Sequence, residues 1–423
     1  MIRLIRNIGW LLSGRGVNAV LSLVYLALAT RTLGFDGFGY FAIIVALGQT
    51  VTGLANFQTW QFVVRWGSGK DGPGEATGFA IALDMLSIAL GLVLAAVLCW
   101  SAQFWLPLPL DLLPVAFGYC LVSLLAIRTT PTGLLRLRFE YGRATAAEAV
   151  QPIIRAIGAV LAVLFLPTVI GFILAWAAAE VAVAAALWFA AGRSQRIDLS
   201  KISLWRIPRD HPGAWKFVWS TNLTGSLNVG SKQVLILLVG AIGGEGFAGG
   251  FRVASQLGQA LVSLAQTVSK AIYPELVHAR ENAHDMARRM ANIALIGGAL
   301  AVLVAVLFGR QGLVFIAGPE FSVVYWAMVI LAIAGAIELV GASLESLLVS
   351  AGRAGTALAM RAVPTLLGLA LLKAAMDWNG LKGAAFTVLG SSALAVIGFW
   401  VAVISLSQIT ITVKPKPEET SRP

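Results

Sequence analysis

Long runs of apolar residues alternate with short polar or glycine-rich breaks along the whole chain, and the runs are longer than strands need. Six fall at about 9 to 31, 39 to 64, 78 to 100, 112 to 130, 145 to 166 and 168 to 191. Six more fall at about 216 to 242, 247 to 273, 289 to 309, 322 to 349, 355 to 376 and 381 to 405. A helix crossing about 30 Å of hydrocarbon needs about 20 mostly apolar residues and satisfies its backbone hydrogen bonds internally. The pattern predicts an all-α polytopic membrane protein with about 12 transmembrane helices.

The two sets of six parallel each other. Leu33-Gly34-Phe35-Asp36-Gly37-Phe38 matches Ile242-Gly243-Gly244-Glu245-Gly246-Phe247, each at the turn between the first and second runs of its half. Leu47-Gly48-Gln49 with Leu54-Ala55 matches Leu257-Gly258-Gln259 with Leu264-Ala265 at an offset of 210 residues. An internal duplication is expected: a six-helix bundle over 1–191, a linker over 192–215, a second six-helix bundle over 216–405 and a cytoplasmic tail over 406–423. The linker mixes bases with Ile202, Leu204, Trp205 and Ile207, an amphipathic composition suited to the cytoplasmic membrane surface. Arg3, Arg6 and Ala27-Leu28-Ala29 superficially resemble a signal peptide. The first run is too long for one, carries Arg15 and completes the repeat, so it is expected to stay as a span.

Only 12% of the residues are charged, and the net charge is +11. With the N-terminus inside and loops alternating, nearly all loop bases fall on one side, including Arg65, Lys70, Arg136, Arg138, Arg143, Arg193, Arg196, Arg280, Arg353, Arg361, Lys414, Lys416 and Arg422. The other side keeps Arg31, Arg310, Lys373 and Lys382. This places both termini in the cytoplasm, with the chain in a bacterial inner membrane, and attributes the basic balance to membrane lipids instead of nucleic acid.

Nothing points to enzyme chemistry or a cofactor. Cys99 and Cys120 lie in apolar runs, and His211, His278 and His284 lack the spacing of a helical metal pair. Gly243-Gly244-Glu245-Gly246 has no Walker lysine and no preceding strand, so ATP is not expected to drive this chain directly.

Polar residues inside the runs carry the candidate chemistry. In the eighth, Arg252, Gln256, Gln259, Ser263, Gln266 and Lys270 recur at steps of four and three, which puts all six on one helical face. Lipid is a costly neighbour for such a stripe, so a bundle interior or wet cavity is expected. Gln49, Thr52, Asn56 and Thr59 repeat the feature in the second run, and the first half of the seventh carries Asn222, Thr224, Ser226, Asn228, Ser231, Lys232 and Gln233. Six bases lie within or at the ends of runs: Arg15, Arg128, Arg155, Lys232, Arg252 and Lys270. Arg128 and Lys270, near cytoplasmic ends, fit snorkelling, while Arg15, Arg155, Lys232 and Arg252 suit an anionic group. The acids are Asp84, Glu148, Glu180, Glu338 and Glu345. Glu148 is placed to pair with Arg155 at i+7, and Asp84 and Glu338, with no base within a turn, are the candidates for coupling to H+ or Na+.

Further residues carry a family resemblance: Asn7-Ile8-Gly9-Trp10, Thr30-Arg31-Thr32-Leu33-Gly34, Phe38-Gly39-Tyr40, Gly133-Leu134-Leu135-Arg136 and Tyr273-Pro274-Glu275-Leu276. Leu307-Phe308-Gly309, Ser350-Ala351-Gly352-Arg353 and Gly380-Leu381-Lys382-Gly383-Ala384-Ala385 complete the set. Over nearly its whole length the chain resembles the polysaccharide and lipid-linked oligosaccharide flippases of the multidrug, oligosaccharidyl-lipid and polysaccharide exporter superfamily. The resemblance implies two six-helix bundles in a V around a central cavity. It also implies transfer of an undecaprenyl-linked oligosaccharide from the cytoplasmic to the periplasmic leaflet by alternating access, alongside a polysaccharide polymerase and glycosyltransferases. Arg15 stands where the multidrug branch often carries an acid, which favours an anionic cargo. On this reading Arg15, Arg155, Lys232 and Arg252 bind pyrophosphate, while Gln49, Asn56, Gln256, Gln259, Gln266 and Lys270 meet the sugars. A multidrug or cation antiporter of the same architecture and a membrane-embedded glycosyl or lipid transferase are the alternatives. O-antigen, capsule and exopolysaccharide all stay open as destinations of the glycan.

Overall fold

The computed structural model describes the backbone of residues 2–68, 72–195, 197–277, 283–350 and 353–412. Lys70, Arg196, His278, Arg280, Lys414, Lys416 and Arg422 lie outside the described residues. Every regular element among the described residues is helical. The helices are α1 (Ile2–Ala55), α2 (Thr59–Gly67), α3 (Gly72–Trp105), α4 (Leu113–Leu125), α5 (Thr129–Leu137), α6 (Tyr141–Glu148) and α7 (Val150–Phe165). They continue as α8 (Val169–Ser194), α9 (Arg206–Asp210), α10 (Ala214–Gly243), α11 (Glu245–Val277), α12 (Ala283–Ala317), α13 (Tyr325–Ser350) and α14 (Ala354–Thr412).

Among the described residues, eight stretches are long and apolar enough to cross a membrane, or nine if the bent pair within α10 counts as one span. One of them, Gly355–Ile404, has 50 residues. At 1.5 Å per residue it would reach about 75 Å, more than twice the hydrocarbon thickness. It is broken at Asn379–Gly380, where Gly380 has φ 52°. Gly34 (φ 69°) breaks α1 in the same manner, and Gly244 (φ 90°) separates α10 from α11. Each of these breaks falls between two predicted apolar runs, at a glycine that enters positive φ without a Cβ clash.

Three runs that read as continuous in the sequence are interrupted in the structure. The second stops at Ala55 and restarts at Thr59, with Gln58 in the left-handed region. A break inside a bilayer exposes carbonyls that lipid cannot satisfy. Here the protein supplies the partners. Asn222 Nδ2 donates to the carbonyls of Asn56 (2.8 Å) and Leu54 (3.3 Å), and Ser226 Oγ donates to that of Gly53 (3.2 Å). Asn56 Oδ1 in turn accepts from the Gln58 amide at 2.7 Å. The fourth run divides into α4 and α5, and Trp188 Nε1 caps the intervening Ile127 carbonyl at 3.0 Å. The fifth divides into α6 and α7.

The chain packs as two units, one of Met1–Ala254 with Arg310–Tyr325 and one of Ser255–Gly309 with Trp326–Pro423. Within the first, α1 packs on α4, α7 and α10, and α7 lies along α8. The linker belongs to its core: Ile207 is buried with Phe57, Phe62, Phe79 and Val218. Lys201 and Arg206 approach Glu75 at the start of α3, at 3.5 and 3.7 Å. Within the second unit, Val262 packs on Leu339, and Leu348 and Ala357 pack on Phe399. Phe104, Phe165 and Trp400 stand outward, as lipid-facing side chains should.

Candidate functional site

The first unit holds two adjoining polar cavities of about 210 and 350 Å³. Both are lined by Gln49, Thr52, Ser123 and Arg128. The smaller adds Tyr119, Gln151, Arg155 and Glu180, and the larger adds Asn56, Gln58, Asp84, Ser87, Thr129 and Gln233. Arg128 thus stands between two buried carboxylates, Glu180 and Asp84.

Glu180 on α8 organises the smaller cavity. Its Oε1 accepts from Arg155 Nη2 at 2.8 Å and from Gln151 Nε2 at 2.9 Å, while Oε2 faces Arg128 Nη2 at 2.6 Å. Gln151 and Arg155 are four residues apart on α7, so one helical face delivers both donors. The Arg155 guanidinium also lies 5.0 Å from the Trp176 ring centre and 5.9 Å from that of Tyr25, whose π-faces favour a cation held away from water. Arg252 on α11 approaches the Ala42 carbonyl at 3.5 Å and lies within electrostatic range of Arg155 and Tyr119. Two guanidiniums therefore share one carboxylate, with that of Arg252 within electrostatic range of Arg155, an arrangement that attracts an anion with several oxygens.

Asp84 occupies a different environment. Its Oδ1 accepts from the hydroxyls of Thr59 (3.0 Å) and Thr129 (3.2 Å), and its Oδ2 from Thr130 (2.5 Å). Thr59 opens α2 and Thr129 opens α5, so the carboxylate sits at two helix N-termini, where the backbone dipoles favour negative charge. It has no ion pair among the described residues. Nearby in the same cavity, Ser87 Oγ and Gln233 Oε1 are buried without a hydrogen-bond partner among the described residues, as is Arg155 Nε beside Glu180. Buried polar atoms of this kind are ordinarily satisfied by water or a polar ligand.

The structure brings Gln49, Asn56, Asp84 and Arg155 to the two adjoining cavities, and Arg252 lies within electrostatic range of Arg155 while lining neither. Lys232 is exposed and lines neither cavity. In the second unit Gln256 is half-buried and Gln259 exposed, and Glu338 Oε1 accepts from Ser392 at 2.9 Å. The side chains of Arg15, Gln266 and Lys270 lie outside the described residues. Two sequence expectations change. Arg155 pairs with Glu180, not with Glu148, which is exposed at the end of α6; seven residues along a helix is about 10 Å of rise, and the carboxylate of the neighbouring helix α8 is nearer. Arg128, expected to snorkel, faces both cavities, and the structure adds Gln151 and Tyr119. The i+4 spacing of Gln151 and Arg155 was the available signal for the first of these.

Residues 4–280 match the family described as "Polysaccharide biosynthesis protein". The inner membrane protein YghQ of Escherichia coli (strain K12) is 28% identical over 346 residues, covering 76% of this chain and 94% of that protein. Among solved structures, the lipid II flippase MurJ in an inward closed conformation is similar with a TM-score of 0.75 at 13% identity, over 96% of this chain and 93% of that one. An inward-facing multidrug resistance MATE family transporter of the MOP superfamily gives 0.64 at 17% identity, over 93% and 96%. A MOP superfamily transporter from Pyrococcus furiosus, described as having a binding pocket of reverse polarity, gives 0.59 at 15% identity, over 96% of each chain. At these identities the structural likenesses establish the fold alone, a multi-pass helical one shared with these proteins.

Proposed function

The chain belongs to the polysaccharide biosynthesis protein family, and on that premise we propose that it is a flippase for a polyprenyl-pyrophosphate-linked oligosaccharide. The observation that carries the proposal is the sharing of the buried Glu180 carboxylate by Arg128 and Arg155, with Arg252 within electrostatic range of Arg155. A pyrophosphate presents several charged oxygens and suits paired guanidinium contacts, while Gln49, Asn56 and Gln151 offer amides to a sugar. In the apo state Glu180 holds the arginines in place, and the incoming anion takes over part of that role.

In the same reading the chain crosses the inner membrane twelve times with both termini inside, and two six-helix halves rock to carry the head group outward while the lipid tail stays in the bilayer. Arg15, Lys232 and the stripe of Gln256, Gln259, Gln266 and Lys270 extend the contacts during that cycle. Asp84, and Glu338 in the second unit, couple the movement to H+ or Na+. Polymerase and glycosyltransferases act on the same intermediate before and after transfer.

A cation antiporter of the same fold is the second reading, favoured by the buried Asp84 with its three hydroxyl partners and no base. Deleting the gene in its host and analysing surface polysaccharide and lipid-linked intermediates separates the two. The flippase reading expects loss of one polymer, with its repeat unit trapped on the inner leaflet. Unchanged glycans with new drug sensitivity support the antiporter.

A further inference from the structure

Positively charged side chains are scarce on the face that the charge pattern assigns to the outside: Arg31, Arg310, Lys373 and Lys382. Two of these, Arg31 and Arg310, line one open cavity of about 1050 Å³. It forms where the α1 break at Gly34 meets the end of α12, and where the chain turns at Gly318 (φ 103°) into a short 3-10 segment, Pro319–Val324.

The charges in this cavity do not cancel by direct pairing. Arg31 Nη2 donates to the Phe315 carbonyl, one of the carbonyls left open at the C-terminus of α12. Glu320 Oε2 accepts from the Phe35 amide at 3.1 Å, capping the helical segment that follows Gly34. The carboxylate is thus engaged by backbone, and the Arg31 guanidinium keeps unused N–H groups. Arg310 is exposed and has no ion-pair partner among the described residues. Gln311 adds an amide to the lining, and Phe315, 77% exposed, adds an aromatic face.

We propose that the Arg31–Arg310 cavity binds the phosphate of a lipid headgroup at the outer surface of the membrane. Two guanidiniums match phosphate oxygens, the volume leaves room for the group attached to the phosphate, and Phe315 meets the adjoining apolar part. The same chemistry is offered by a bulk phospholipid and by a polyprenyl pyrophosphate. The assignment stands on the cavity's own charges and does not depend on the cargo proposed above.

The test uses the purified full-length chain with two photoreactive probes, a short-chain phosphatidylglycerol and a farnesyl pyrophosphate, with labelling mapped by peptide mass spectrometry. Mapping to residues 310–320 separates this cavity from the one around Glu180. Both sources predict labelling of 310–320 that falls about tenfold in Arg310→Gln at half-saturating probe, falls less in Arg310→Lys and is unchanged in Lys373→Gln. A response to phosphatidylglycerol alone supports a bulk-lipid site, and a response to farnesyl pyrophosphate alone supports a site for the carried lipid. Labelling that is absent from 310–320, equal in wild type and Arg310→Gln, or equally reduced by Lys373→Gln overturns the proposal. Arg310 is exposed and has no ion pair among the described residues, so its variants should keep the wild-type melting temperature; if Arg310→Gln unfolds, Arg310→Lys carries the comparison.

Discussion

A Cβ placed on Gly249 would lie 2.9 Å from the Cα of Gly39, so the second segment of α1 and the start of α11 cross backbone to backbone at this pair. The two glycines have the same spacing in sequence as Ala42 and Arg252, which are 210 residues apart and also meet. Added atoms on Gly39 would in turn collide with the Glu245 carbonyl. Backbone on both sides leaves no flexible side chain to move aside.

Gly249→Ala and Gly39→Ala should therefore each destabilise the first unit, by about 1–3 kcal/mol as overpacking does elsewhere. Gly118→Ala, with nothing within 4 Å of the added Cβ, should be neutral or slightly stabilising. Thermal unfolding in detergent compares the three, and equal midpoints would contradict the close crossing.

Replacing Glu180 by Gln leaves Arg128 and Arg155 without their shared carboxylate. The Glu180 side chain is 4% exposed and that of Arg155 14%, so the loss is a buried one, expected at about 3 kcal/mol. Glu180→Gln combined with Arg155→Gln should be less destabilising than the sum of the single changes, and a double-mutant cycle measures the coupling.

Arg128 separates binding from folding. Its side chain is 39% exposed, so screening limits what its contact with Glu180 contributes to stability, and Arg128→Gln should shift the melting temperature little. In a complementation assay at matched expression it should lower polymer output several-fold. Normal output from Arg128→Gln, Arg155→Gln and Arg252→Gln alike would remove the basis of the pyrophosphate proposal.

Asp84→Asn keeps the size of the side chain and can retain hydrogen bonds to Thr59, Thr129 and Thr130. The fold should survive. In the coupling role proposed above, transport in proteoliposomes should lose its response to an imposed proton or sodium gradient. A variant that responds like wild type would exclude Asp84 from coupling.

Much of this architecture was legible in the sequence. The apolar runs lie in helices, and Gly34, Gly244 and Asn379–Gly380 mark breaks between them. The polar character of the second and seventh runs also had a visible meaning, but only part of it faces a cavity. Asn222 and Ser226 hydrogen-bond the carbonyls at the end of α1, whereas Gln49 and Gln233 face the cavities. Residue type alone does not separate these roles, because the same amide satisfies a broken helix or a sugar.

The apolar length of a span and the freedom of a glycine to take positive φ are local properties, so the sequence by itself determined that the chain is a helical membrane protein and where the glycine breaks between runs fall, but not the interruptions within runs. Which charges pair was decided by tertiary structure. Arg155 finds Glu180 on the neighbouring helix α8, Arg128 joins them from the turn before α5, and Arg31 and Arg310, 279 positions apart, line one cavity. Helical periodicity specifies a face of one helix, whereas Coulomb energy depends on distance and burial between helices, and those are settled only when the bundle packs.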